Sequence, residues 1–436
     1  MSDTGKSDAE KPQPDATQPV EPTSGTGSSS TATTEAAPEI DPHDAPDTRG
    51  ERSRSLLREI ASGDVLAGVL AVFLAIFVGS VMIAATDDTV RETASYLTAR
   101  PSDFFTAVWE AISGAYSAMF RGAIFNYNLT EPAQQWRPLT ETLKFAAPLI
   151  LGGLGVGLAF RAGLFNIGGR GQMLIAGGAA GWVGFQLDLP AAIHLPLAIL
   201  VGMVAGALWG GIAGVLKART GAHEVIVTIM LNYVAYYLLF YALTKEWLLK
   251  TPGSVNPKSP PMKESAQLPK VLGDQFNLHL GFVLALLAVA VVWWVLNRST
   301  FGYRIRAVGE NPHAARAAGI DVGRTYIVVM LVAGSLLGLA GINQVLGTVT
   351  SGVSLDLDAS IGFDAITVAL LGRSRPLGIL AAGLLFGAFK AGGFTMQTSE
   401  NISVDLVLVV QSLIVLFLAA PPLVRAIFRL PAQEAK

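Results

Sequence analysis

Ten apolar runs, with charge squeezed into the gaps between them, limit what this chain can fold into more than any other feature. They fall at 65–85, 143–160, 172–187, 193–215, 225–243, 280–296, 326–348, 359–371, 377–395 and 403–423. At 1.5 Å per residue, a helix of about 20 residues crosses a hydrocarbon core ~30 Å thick. In lipid, each backbone N–H and C=O must find its partner inside the protein. Composition agrees, with 51% hydrophobic and 15% charged residues against roughly a quarter charged in soluble domains. The expected fold is all-α: a polytopic membrane protein of about ten transmembrane or partial helices behind a disordered N-terminal tail. With no cysteine in the chain, a disulfide framework, a thiolate metal site and a thiol nucleophile are excluded.

The net charge of −2 hides a division, because residues 1–48 carry ten acids against Lys6 and Lys11. That stretch is Ser, Thr, Pro, Gly and Ala without apolar periodicity, too poor in apolar side chains to offset ordering entropy. It reads as a solvated spacer, with an acidic docking arm as the alternative. It lacks the basic start and early apolar run of a secretory signal, so the N-terminus is expected in the cytoplasm. The expected boundaries are 1–60 for the tail, ending in Arg49, Arg52, Arg54 and Arg58, then 61–425 for the transmembrane domain and 426–436 for a cytoplasmic C-terminal tail.

Basic residues resist translocation and so mark the inner loops. Starting inside and alternating, the inner connections contain Arg161 and Arg170, Lys217 and Arg219, Arg298 to Arg324, Arg373 and Arg375, then Arg425 and Arg429. The short outer connections 188–192, 349–358 and 396–402 contain no Lys or Arg. The longer segments 86–140 and 245–278 fall outside. In the first of these, Phe104, Phe105, Val108, Trp109, Ile112, Tyr116 and Phe120 recur at helical spacing. They predict an interfacial helix, with an eleventh span as the alternative.

Two places break the spanning pattern. The run 359–371 is only ~20 Å long as a helix, follows Asp356 and Asp358, and ends at Gly372-Arg-Ser-Arg-Pro376. Glycines and amides in Leu164-Phe-Asn-Ile-Gly-Gly-Arg-Gly-Gln172 likewise interrupt two apolar blocks. Matching interruptions suggest related repeats whose broken helices surround a path. Plain cytoplasmic turns are the alternative, and the arginines favour it for the turn residues themselves, since charge at the bilayer centre is costly.

The inner loop 297–325 carries a punctuated helix. Asn311 suits an N-cap, Pro312 the first helical position and Gly319 a left-handed stop. The His-Ala-Ala-Arg-Ala-Ala between them is too short to be stable alone, so a partner is expected to hold it, with a capped interfacial helix that has no partner as the alternative. The surrounding Gly302-Tyr-Arg-Ile-Arg-Ala-Val-Gly-Glu-Asn-Pro-His-Ala-Ala-Arg-Ala-Ala-Gly-Ile320 resembles the cytoplasmic coupling segment of permease subunits of bacterial ABC importers in the simple-sugar and nucleoside class. Phe165-Asn-Ile-Gly-Gly-Arg-Gly-Gln172, Glu224-Val-Ile-Val-Thr-Ile-Met-Leu-Asn232 and Val368-Ala-Leu-Leu-Gly-Arg-Ser-Arg-Pro-Leu-Gly378 are similar to other motifs of that family, in the same order. The likeness covers about residues 60–425 and is strongest to the nucleoside type paired with a lipoprotein receptor. One departure stands out. The family commonly has Gly-Ala-Glu-Gly after Asn-Ile, and here Gly169-Arg170 replaces the Ala-Glu pair.

The resemblance implies an ABC ATPase partner, a second permease subunit and an extracytoplasmic substrate-binding lipoprotein, in the lipid of a bacterial cytoplasmic membrane. Gly309, Glu310, Asn311, Pro312, Ala314, Ala315, Arg316 and Gly319 would form the ATPase-coupling segment, with Ala314 and Ala315 packing in the partner's groove. The chain itself has no phosphate-binding Gly-x-x-x-x-Gly-Lys-Ser/Thr loop and no His-Glu-x-x-His pair, and its five histidines are scattered. No catalytic residue, cofactor, metal or nucleic-acid partner is therefore expected. Polar residues within apolar runs need partners or line water, which makes Asn166, Gln172, Asn232, Asn343, Gln344 and Asp364 the candidate solute path. Amides suit neutral hydrogen-bonding solutes but also join helices. An ion-coupled secondary transporter is the alternative function, although intramembrane carboxylates beyond Asp364 and Asp405 are few.

Overall fold

In the computed structural model, which describes residues 64–400 and 402–429, each of the ten apolar runs becomes a helix. The expectations for the tail 1–60 and for residues 430–436 lie outside the described residues. The helices are α1 (Asp64–Thr86), α2 (Asp88–Ala94), α3 (Pro101–Ala123), α4 (Pro132–Arg161), α5 (Gly169–Gln186), α6 (Ala191–Thr220) and α7 (Glu224–Thr244). There follow α8 (Gly281–Arg298), α9 (Thr300–Glu310), α10 (Pro312–Ala317), α11 (Val322–Asn343), α12 (Ile361–Leu371), α13 (Pro376–Glu400), α14 (Val404–Ala419) and α15 (Pro421–Ile427). A π-helical stretch, Gln344–Thr348, prolongs α11.

Six helices are long and apolar enough to cross a bilayer: α4, α6, α7, α8, α11 with its extension, and α13. The pair α1 and α2, bent by 72°, makes a seventh candidate. Three of the remaining runs give helices that fall short in length or apolar content: α5 with 18 residues, α14 with 16 and α12 with 11. Among the described residues there is no β-strand. Helix starts follow local chemistry. Asp87, Ser299 and Asp321 each accept a hydrogen bond from a first-turn amide, at 2.9, 3.0 and 2.9 Å, which satisfies a donor the helix leaves open.

α4 is the central helix. From Ala146 to Ala159 every residue is buried, with α8, α11, α12 and α13 packed around it. The tightest pairing joins α6 to α11, where Gly202, Gly206 and Gly210 lie against Gly334 and Gly338. Lipid tails are as apolar as side chains, so close backbone approach at small residues replaces the hydrophobic drive between helices.

α3 is helical over the expected stretch, but its faces are arranged in the opposite sense to a soluble amphipathic helix. Ala107, Ala115 and Ala118 are buried, whereas Phe105, Trp109 and Phe120 are exposed. Ala115 and Ala118 join Phe389, Met396 and Val407 in one apolar cluster, and Arg121 binds Glu400 at 3.1 Å. The small residues thus seat α3 against α13, leaving the aromatic face outward.

The basic connections gather at one end of the bundle. Arg161 donates to Ser374 O at 3.0 Å, Gly309 lies on Arg161 and Ala162, and Gly323 faces Ala218. The segment 245–280 covers the opposite end through Lys263 N to Gly184 O at 3.1 Å, Met262 N to Thr350 O at 2.8 Å and Leu268 N to Leu346 O at 2.7 Å. Arg170 is the exception to this grouping.

The glycine seam makes a sharp prediction. Gly206→Val, which sets a branched side chain against the backbone of α11, is expected to lower stability by about 1–3 kcal/mol. A drop in the thermal unfolding midpoint of the purified protein would register it, and Gly323→Ala, in the first turn of α11 where an added Cβ meets nothing closer than 3.6 Å, serves as the contrast for steric crowding.

Candidate functional site

Charge alternation puts Arg161 and Arg170 in one inner connection, and the structure separates them. Arg161 reaches Ser374, just past the C-terminus of α12. Arg170 Nε donates to Asp358 Oδ1 at 3.2 Å, just before the N-terminus of the same helix. α12 has 11 residues, about 16 Å at 1.5 Å each. After Arg161 the chain therefore turns back into the bundle and starts α5 at depth. From the other end, residues 353–362 descend along α5: Val353 packs on Gly181, Leu357 on Gly177, and Gly362 on Gly169 and Arg170. Two broken helices thus meet with their N-termini inside the protein. The break at 164–172 is thus no plain turn at the surface, whereas the turn 372–376 at the far end of α12 lies at the basic end with Arg373 and Arg375 exposed.

Such a meeting requires polar groups to replace the lost helix bonds. Asn232, on α7, accepts from Gly171 N at 2.8 Å and donates to Ile167 O at 2.9 Å. Thr228, one turn earlier, accepts from Ile167 N at 3.3 Å. Asn166 accepts from Gly168 N at 3.0 Å and pairs with Gln172, whose Nε2 donates to Asn166 Oδ1 at 3.2 Å. Asn166, Gln172 and Asn232 are all buried, and their amides hold one another and the turn.

The space beside them is lined by charge. Arg170, Asp356, Asp358, Ala359, Ser360 and Phe363 surround a cavity of about 310 Å³, and the Arg170 guanidinium also lies 5.3 Å from the Tyr236 ring centre. The Asp358 side chain is 5% exposed and that of Arg170 32%, so the pair is held at a low-dielectric wall with one side open. Ala359 and Ser360, before α12, have φ of 43° and 63°, and Arg373 and Ser374, after it, 51° and 50°. Left-handed backbone costs an L-residue about 1–2 kcal/mol, so α12 is bracketed by strain. Lys390 anchors the first bracket, reaching Ala359 O at 3.3 Å and Asp364 at 2.8 Å.

Asn343 and Gln344 are also buried, at the join of α11 and its π-helical extension. Asn343 and His279 converge at Gly281, and neither side-chain polar atom of Asn343 has a hydrogen-bond partner. Burial pushes the imidazole of His279, in the loop before α8, down to about 4, with repulsion from Lys144 adding to it. It is therefore neutral, and its Nδ1 accepts from Gly281 N at 3.2 Å.

The loop 297–325 holds two helices, α9 and α10. Asn311 ends α9 and caps α10, accepting from His313 N and Ala314 N at 2.9 and 3.0 Å, and Gly319 has φ of 81°. Ala315 turns inward against Val308 and Val322, while Glu310, Ala314 and Arg316 face outward. Gly309 sits directly on the Arg161 and Ala162 backbone. Sequence logic missed three of these features: Asp358 as the partner of Arg170, the seat of Gly309, and the inward turn of Ala315. A base standing where relatives carry an acid was the available signal for the first, since it calls for an opposite charge nearby.

A family model described as branched-chain amino acid transport system / permease component matches residues 139–419. The chain belongs to this family. The permease is 39% identical over 319 residues to the guanosine ABC transporter permease protein NupP of Bacillus subtilis, covering 72% of this chain and 88% of that one. The nucleoside ABC transporter permease protein NupB of Lactococcus lactis subsp. cremoris is 37% identical, with 65% and 79% covered. The glucose ABC transporter permease protein TsgB13 of Haloferax volcanii is 36% identical, with 64% and 75% covered. The protein is thus a multi-pass permease subunit of an ATP-binding-cassette importer in the cell membrane. An ion-coupled carrier has no counterpart among these relatives.

In this permease, Asn232→Leu is expected to leave the Gly171 amide and the Ile167 carbonyl without partners. Each buried orphan costs about 1–3 kcal/mol. The unfolding midpoint in detergent should fall accordingly, and an unchanged midpoint would show that α5 is held by other contacts.

Proposed function

We propose that the permease moves a small polar solute through the space where α5 and α12 meet, with a nucleoside or purine-like compound first in order and a simple sugar next. The observation that carries this reading is the cavity around the Arg170–Asp358 pair. Arg170 offers fixed donors, Asp358 and Asp356 offer acceptors, and Phe363 and Tyr236 bring aromatic rings beside them. A base edge and ring, or a ribose with its hydroxyls, fits that mixture. The guanosine and nucleoside permeases among the relatives support the order, and the glucose permease supports the second choice.

Within this reading the six candidate path residues divide by task. Asn166, Gln172 and Asn232 hold the frame, and Asp364 with Lys390 positions the start of α12. Asn343 and Gln344 offer amides near the opposite end. Energy comes from a separate ATPase that grips α10 at Glu310, Ala314 and Arg316. Pro312, Asn311 and Gly319 fix its ends, Ala315 seats it on this chain, and Gly309 passes displacement to the end of α4. The basic end of the bundle faces the cytoplasm, with both termini there. A second permease subunit and an extracytoplasmic substrate-binding lipoprotein complete the assembly, and domain boundaries follow at 1–60, 61–425 and 426–436.

Two experiments test this. Arg170→Asp should reduce uptake of labelled guanosine by the complete transporter at least tenfold, and Arg170→Asp with Asp358→Arg should recover part of it; normal uptake by the single variant removes the pair from the path. In the same assembly, Ala314→Trp, which adds bulk to the exposed face of α10, should lower uptake and solute-stimulated ATP hydrolysis together. Unaltered coupling there would remove α10 as the ATPase contact.

A further inference from the structure

A second charged cavity lies apart from the α5–α12 meeting point and shares no lining residue with it. It occupies about 680 Å³ at the basic end of the bundle, among the ends of α4 and α8, helix α9 and the first turn of α13. Arg161, Arg306 and Arg375 all line it, and Arg161 feels the repulsion of the other two. A guanidinium cannot shed its proton to relieve such crowding. Among the described residues none of the three is in an ion pair. Arg161 donates through Nε to Ser374 O, and Arg306 donates to Leu296 O. Each has five N–H donors, so most remain unspent, and the leading amides of α13 add the positive end of a 25-residue helix.

Three uncompensated cations in a half-enclosed space call for an anion. The rim indicates its source. Trp293 is 43% exposed and Leu377 63%, and both line the opening. Tryptophan beside basic groups at the end of a membrane helix marks the headgroup level, and basic pockets between such helices take phospholipid headgroups. A soluble phosphate would gain nothing from the apolar rim, whereas the glycerol and upper acyl carbons of a lipid would cover it. We propose that this cavity binds the phosphate of an anionic phospholipid, with Arg161, Arg306 and Arg375 around the phosphate and Trp293 and Leu377 against the chain. The lipid would then tie α9 to α13 beside the seat of Gly309.

The test uses the full-length permease in vesicles of equal phosphatidylglycerol and phosphatidylcholine, with retained lipid quantified by native mass spectrometry after gentle extraction. The wild type is expected to retain phosphatidylglycerol in preference. Arg375→Gln, at a side chain that holds no other element of the described structure by a hydrogen bond, should cut the preference roughly fivefold. Arg375→Lys should keep most of it, and Arg304→Gln, on the exposed side of α9, should leave it intact. A second measurement needs no variant: phosphatidylglycerol should raise the unfolding midpoint above that in pure phosphatidylcholine, and inorganic phosphate added to the neutral vesicles should not. Equal retention of both lipids by the wild type, an unchanged preference in Arg375→Gln, or a phosphate effect matching that of the lipid would each overturn the proposal.

Discussion

A helix that stops inside a bilayer leaves amides and carbonyls that no water will satisfy, and the way Asn232 meets that need governs much of this permease. By accepting from Gly171 N and donating to Ile167 O, one side chain from α7 fixes both the entry to α5 and the turn before it. The Asn166–Gln172 pair and Thr228 complete the support. Only with that turn held does Arg170 lie opposite Asp358, and only then does α12 have a neighbour for its own inner end. An ordinary hydrogen bond contributes about 1 kcal/mol net. Here the larger effect is the desolvation cost of the groups that would otherwise be stranded.

The chain that leads into this turn starts beside the loop 297–325, where Gly163 faces Gly309. α10 is seated on α9 and α11 through Ala315, Val308 and Val322, and α9 rests through Gly309 on the last residues of α4. The chain leaves that point directly into the broken stretch before α5. Displacement of α10 therefore acts on a short, stiff series of backbone contacts. α12, with left-handed residues at both ends, is the element whose present placement is maintained against its local preference.

Much of the fold was legible because lipid leaves few choices. Ten apolar runs gave ten helices, the cap at Asn311 formed as its side chain dictates, and the basic connections, Arg170 apart, collected at one end. The breaks at 164–172 and before Ile361 were readable as breaks. Their depth was not, because glycine and arginine suit a surface turn as well as a buried one, and what distinguishes the two is a carboxylate 188 residues away. The faces of α3 were obscured for a related reason: Phe105 and Trp109 mark the buried side of a helix in water, and in lipid they are the side turned outward. The inward turn of Ala315 depended on the packing of α9 and α11, which lies outside any local pattern.

The stretch 349–360 is irregular chain that ends in Asp358 and its neighbours, and three of its backbone fastenings run to one short segment. Val353 N donates to Ser259 Oγ at 2.8 Å, Ser259 N donates to Val353 O at 3.0 Å, and Met262 N donates to Thr350 O at 2.8 Å. Ser259 and Met262 belong to the long segment covering the end of the bundle away from α10. The two stretches are therefore fastened into one mechanical piece. A pull on residues 259–262 from that side is passed to the chain that carries Asp358 without having to unwind a single helix.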